Sequence, residues 1–144
     1  MSSERKLSEL ARHLIQPTGI VRSAFPRVMQ VAGRAGIEYD RWQQGLGTLI
    51  LGTREDGSYA ASEGGVVISI CRQVGKTFTI GSMIFILCML RPGLKVLWTA
   101  HRTRTSDETF SSMQTLARKP AFGKYVRNVR KANGQQEIEF ANAS

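Results

Sequence analysis

The chain has 144 residues, a formal net charge of +9 and a pI near 10.3, enough length for about one domain with a single core. Its ordinary apolar and charged shares exclude a disordered or fibrous chain. The uncharged run Phe78 to Leu90 is too short to span a bilayer, and the charged N-terminus lacks a signal peptide's apolar core.

Periodicity predicts a short amphipathic helix over Met1 to Ile15, with Leu7, Leu10, Ala11, Leu14 and Ile15 on one face, broken at Gln16-Pro17-Thr18-Gly19. A second helix is expected from Pro26 to Arg34. A third begins after Asp40, its N-cap, and carries Trp42, Leu46, Leu49 and Ile50. Arg54 to Gly57 reads as a turn and Ser58 to Ala61 as a short strand. Val66 to Ile70 reads as a buried strand, Lys76 to Leu90 as a helix stopped by Arg91-Pro92-Gly93, and Leu94 to Thr99 as a second buried, parallel strand. Strand, helix and strand make a right-handed βαβ unit. Thr103 to Arg118 follows as a helix. Tyr125 to Arg130 and Glu137 to Phe140 flank Asn133-Gly134 as a hairpin.

Chemistry concentrates in Val66 to Thr77, where a β-branched run feeds a loop ending in Gly75-Lys76-Thr77 and a long helix follows. A phosphate-binding loop needs that context. Backbone N–H groups from Arg72 to Thr77 would wrap phosphates at the positive end of the helix dipole. Lys76 would pair with the β/γ oxygens, and the Thr77 hydroxyl would ligate Mg²⁺. Ile70 stands where the usual loop has its first glycine. Charge is also uneven, with eight Lys/Arg against Asp107 and Glu108 between His101 and Lys131. That skew points to nucleic acid. Cys71 and Cys88 form neither a disulfide framework nor a zinc set, so a reducing compartment is expected. His13 and His101 are far apart and suggest no metal cage beyond a nucleotide-borne ion.

Several segments converge on one family. Tyr39-Asp40-Arg41-Trp42-Gln43, the turn Arg54-Glu55-Asp56-Gly57, the loop Cys71 to Thr77, the run Thr99 to Phe110, and Asn133-Gly134 before Ile138 to Asn142 come in this order. From Glu38 onward the chain resembles the N-terminal ATPase portion of tailed-bacteriophage terminase large subunits, the motors that package DNA. The resemblance implies an α/β fold: a P-loop NTPase (RecA/ASCE-like) parallel-sheet core, incomplete, with residues 1–37 as a helical N-terminal preface and 38–144 as a partial ATPase domain. It implies ATP and Mg²⁺ as cofactors, with Lys76 and Arg72 catalytic and Gln43, Arg72, Gln73, Val74, Gly75, Lys76 and Thr77 binding the nucleotide. In that family the loop lacks its first glycine and carries an arginine, matched by Arg72. Such a charge favours the transition state, although a loop arginine can equally be solvated or touch DNA. Gln43 matches the glutamine that reads the adenine edge, while Trp42 is either a base contact or a core residue. Arg102 and Arg104 are candidate DNA contacts or an exposed helix start; His101 bridges its loop or serves structurally.

Implied partners are double-stranded DNA, a terminase small subunit and a portal protein, with a homo-oligomeric ring when full length and no membrane. The implied location is the host bacterial cytoplasm, not the mature virion. The family's later strand ending in Asp-Glu (Walker B) and its nuclease domain are missing from the sequence. A fragment is therefore expected, with weak nucleotide binding at best and little hydrolysis by this chain alone. Two other readings remain: a helicase-like ATPase fragment, and a basic DNA-binding module whose phosphate loop is vestigial.

Overall fold

The computed structural model describes residues 4–62, 64–71, 73–132 and 136–143. They form two compact units, Met1–Val74 and Gly75–Ser144.

The first unit holds helices α1 (Leu7–Leu10), α2 (Phe25–Arg34) and α3 (Arg41–Ile50), and strands β1 (Arg22–Ser23) and β2 (Gly52–Thr53). The two strands pair antiparallel, Arg22 opposite Thr53 and Ser23 opposite Gly52. α2 starts with Pro26, whose missing N–H costs nothing in a first turn. α3 starts at a capping box in which Asp40 is the N-cap and the Gln43 side chain returns to the Asp40 N–H. Phe25, Val28, Ala32, Ile37, Tyr39 and Trp42 are buried, and the rings of Phe25 and Tyr39 lie tilted at 5.5 Å between centroids. This shared core joins α2 to α3. The boundary expected at residue 37 is thus not where the chain divides; the division falls after Val74.

The N-terminal helix is shorter than expected, four residues in place of fifteen. A lone amphipathic helix of that length is marginal in water. α1 persists where Leu7 sits over Gly45 of α3. In place of the expected strand Ser58 to Ala61 there is a single bridge between Thr53 and Tyr59. Asp56 orders that turn by accepting from the Ser58 N–H at 2.9 Å and the Ser58 hydroxyl at 2.7 Å.

The second unit holds α4 (Lys76–Leu90), α5 (Thr103–Ala117), α6 (Pro120–Gly123) and the antiparallel pair β3 (Val126–Arg130) and β4 (Glu137–Phe140). α4 is apolar almost all round and correspondingly buried, with Met83, Phe85, Ile86 and Cys88 inside. Phe85 packs between Phe122 at 5.4 Å and Phe140 at 4.8 Å. α6, which no sequence pattern marks, supplies Phe122 to this cluster. The hairpin carries a bulge between Val126 and Asn128, which lets Val126, Val129, Ile138 and Phe140 all turn away from solvent. Asn133-Gly134, the expected turn, lies outside the described residues.

The expected parallel core differs most. Among the described residues neither Val66 to Ile70 nor Leu94 to Thr99 joins a sheet, and both sheets are antiparallel and two-stranded. Val67 and Leu97 are 92% and 89% exposed. An apolar run specifies burial only where neighbouring strands supply ladder bonds on its edges and cover on its faces. Neither is provided here, so the βαβ unit is not formed among these residues.

Candidate functional site

Gly75, Lys76 and Thr77 come together at the head of α4. Gly75 is the N-cap and takes a left-handed backbone, φ 88°, which a β-carbon would penalise. Its carbonyl oxygen accepts from both the backbone N–H and the hydroxyl of Thr79, each at 2.8 Å. Thr79 is buried, so these two hydrogen bonds anchor the first turn from inside. Lys76 and Thr77 point the other way, both exposed. Among the described residues no side-chain hydrogen bond caps the helix. The amides of Lys76 and Thr77 therefore keep the donor capacity that an anion at a helix start uses. Thr79 was not foreseen in sequence; its i+4 relation to Gly75 was the available signal.

Gln73 and Val74 close the first unit. Gln73 has a positive φ of 62°, uncommon for a residue with a side chain and frequent in backbone that curls around a ligand. Val74 and Cys71 are exposed. Arg72 lies outside the described residues.

Gln43 is in a different situation. It is only 5% exposed, and its side-chain oxygen accepts the Asp40 N–H at 2.7 Å. That bond closes the α3 capping box and uses one of the two lone pairs of the side-chain oxygen. Trp42 is also buried, as a core residue would be. Within this unit, then, Gln43 acts as a helix cap.

Arg102 is the N-cap residue of α5 and makes no side-chain cap. Arg104 pairs with Glu108 one turn on, at 3.0 Å, with both side chains largely in solvent. Such a pair contributes little. Both arginines, and His101 beside them, are exposed. The loop after the second expected strand thus presents a cationic surface.

The residues implied to hold ATP and Mg²⁺ fit in part. A left-handed glycine, an uncapped helix start, and an exposed lysine and threonine suit a triphosphate and its metal. The buried, bonded Gln43 does not suit an adenine edge in this arrangement. Among the described residues no group of three or more His, Cys, Asp and Glu is placed to hold a metal ion directly, and no helix is long and apolar enough to cross a membrane.

No family model, curated protein or solved structure matches the chain. The functional reading therefore rests on the loop and its surroundings.

Proposed function

We propose that this chain is the ATP-binding portion of a phage DNA-packaging terminase large subunit, an α/β P-loop NTPase that drives double-stranded DNA translocation when complete. The observation that supports it best is the head of α4, where left-handed Gly75, the Thr79 anchor and the uncapped first turn present Lys76 and Thr77 to solvent. In this reading Lys76 would hold the phosphate oxygens and the Thr77 hydroxyl would meet Mg²⁺, with Gln73 and Val74 preceding them in the loop sequence. Arg72 would stabilise charge that develops only as the terminal phosphoryl group leaves. Bound Mg-ATP supplies that phosphoryl group and the metal's charge; this chain's own residues bind and orient. A terminase small subunit and a portal protein are the proposed partners, in a ring in the host bacterial cytoplasm.

Amide hydrogen exchange tests this. Adding Mg-ATP should slow exchange of the Lys76 and Thr77 amides, and Lys76→Ala should remove the effect. Unchanged exchange at saturating nucleotide would refute the reading.

A second reading has an observation of its own. Among the described residues no ladder backs the loop, and Gln43 is engaged as a cap. A basic nucleic-acid-binding module with a vestigial loop accounts for both. It predicts DNA binding with no response to ATP.

A further inference from the structure

A groove of about 370 Å³ runs between the C-terminal end of α5 and strand β3. Arg118, Arg127 and Lys131 line it, with the amide side chains of Gln114 and Asn128 between them, and no acidic side chain is among its lining residues. It falls in the sequence from Arg118 to Lys131, which has six cationic residues and no carboxylate. We propose that this groove binds the phosphodiester backbone of nucleic acid, at a site separate from the phosphate loop and independent of any nucleotide bound there.

The donor set argues for phosphate. Two guanidinium forks bind phosphate oxygens in pairs, an ammonium adds a point charge, and side-chain amides fill the remaining acceptor sites. Arg118 and Lys131 make no ion pair among the described residues. Arg127 pairs with Glu139 at 3.2 Å, but its side chain is 71% exposed, so the pair is weak and easily exchanged for a phosphate. The groove was formed by the fold rather than by sequence proximity. The bulge at Arg127 takes that residue out of the strand's alternation, and α6 folds the chain back so that Arg118 faces β3.

Extent and lining separate the possible anions. Lys119 and Lys124 add cationic charge in the same stretch of chain, a density that a polyanion exploits and a single small anion does not, while Arg130 lines a different cavity and pairs with Glu137 at 3.4 Å. The apolar lining is limited to small or β-branched side chains such as Ala117 and Val129. A docked acidic peptide would need a large apolar pocket for its anchors. Tyr125, next in the chain to the lining residue Val126, is partly exposed, with the Lys124 ammonium 5.0 Å from its ring.

Fluorescence anisotropy of the whole chain with a short labelled DNA duplex of arbitrary sequence provides the test, over about 50 to 200 mM salt. The triple variant Arg118→Gln, Arg127→Gln, Lys131→Gln should bind at least about tenfold more weakly. Its plot of log affinity against log salt should flatten by about two to three units, roughly one for each phosphate no longer neutralised. Lys76→Ala should change neither quantity, so a failed phosphate loop and a failed groove are told apart. Equal affinity and slope in the triple variant would overturn the proposal. So would polyglutamate or inorganic phosphate displacing the duplex as readily as unlabelled DNA does. Should the triple variant lose its cooperative melt, Lys131→Gln alone decides; it lies past the end of β3, exposed, and should lower the slope by about one. An unchanged slope there overturns the proposal equally.

Discussion

Thr79 sends its hydroxyl and its backbone N–H to a single acceptor, the carbonyl oxygen of Gly75, at 2.8 Å each. The loop's glycine is thereby tied to the buried side of α4 while Lys76 and Thr77 stay on the solvent side. Thr79→Val keeps the shape and removes the hydroxyl bond. It should cost about 1 kcal/mol in denaturant unfolding. In the proposed function it should also weaken nucleotide binding without touching the ligand, whereas Thr79→Ser should restore both.

Gly47 presents the opposite kind of constraint. A β-carbon there would overlap the ring of Phe25, which is itself almost completely buried. A buried ring has little room to retreat, so Gly47→Ala should destabilise by about 1–3 kcal/mol. Gly33 in α2 has open space around the same position. There the substitution to alanine should stabilise by about 0.5–1 kcal/mol, the ordinary helix gain. Thermal melts of the two variants should move in opposite directions.

Asn142 ties the end of the hairpin to the end of α4. Its side-chain amide donates to the carbonyl of Cys88 at 2.8 Å and of Met89 at 3.2 Å. Among the described residues its own oxygen, which is buried, has no hydrogen-bond partner. Losing two donors costs stability, but losing an unsatisfied buried acceptor returns some. Asn142→Ala should therefore cost only about 1 kcal/mol, less than two bonds would suggest. Chemical denaturation at constant slope checks this.

Burial raises the pKa of the Cys88 thiol above its ordinary value. In the unfolded chain that thiol ionises first as pH rises, so the unfolded state loses its proton while the folded state keeps it. Stability is unaffected by Cys88 below the ordinary thiol value and falls as pH climbs from there toward the raised one. Cys88→Ala should flatten that alkaline decline. In the native protein, thiol reagents should label exposed Cys71 and spare Cys88.

The sequence was most legible where local signals suffice. α3 begins after Asp40 and α4 spans Lys76–Leu90 as their caps and stops require, and β4 matches Glu137–Phe140. The head of α4 follows from Gly75-Lys76-Thr77 alone. Non-local features were not legible. The β1–β2 pair joins Arg22 to Thr53, and no two-residue strand carries a pattern of its own. α6 is a single turn begun by Pro120, visible only through the packing of Phe122. Gln43 illustrates a different limit: Asp40 followed three residues on by Gln43 is also a capping-box spacing, and the structure uses it so. Val66 to Ile70 and Leu94 to Thr99 have strand composition, but composition does not name a ladder partner.

The measurement that bears most directly on the central claim is a calorimetric titration of the whole chain with ATP in the presence of Mg²⁺, repeated on Lys76→Ala. The proposed function predicts weak, saturable, Mg²⁺-dependent binding by the parent chain, lost in Lys76→Ala while the melt of the variant is unchanged. No binding by the parent, or equal binding by a folded Lys76→Ala, would contradict it.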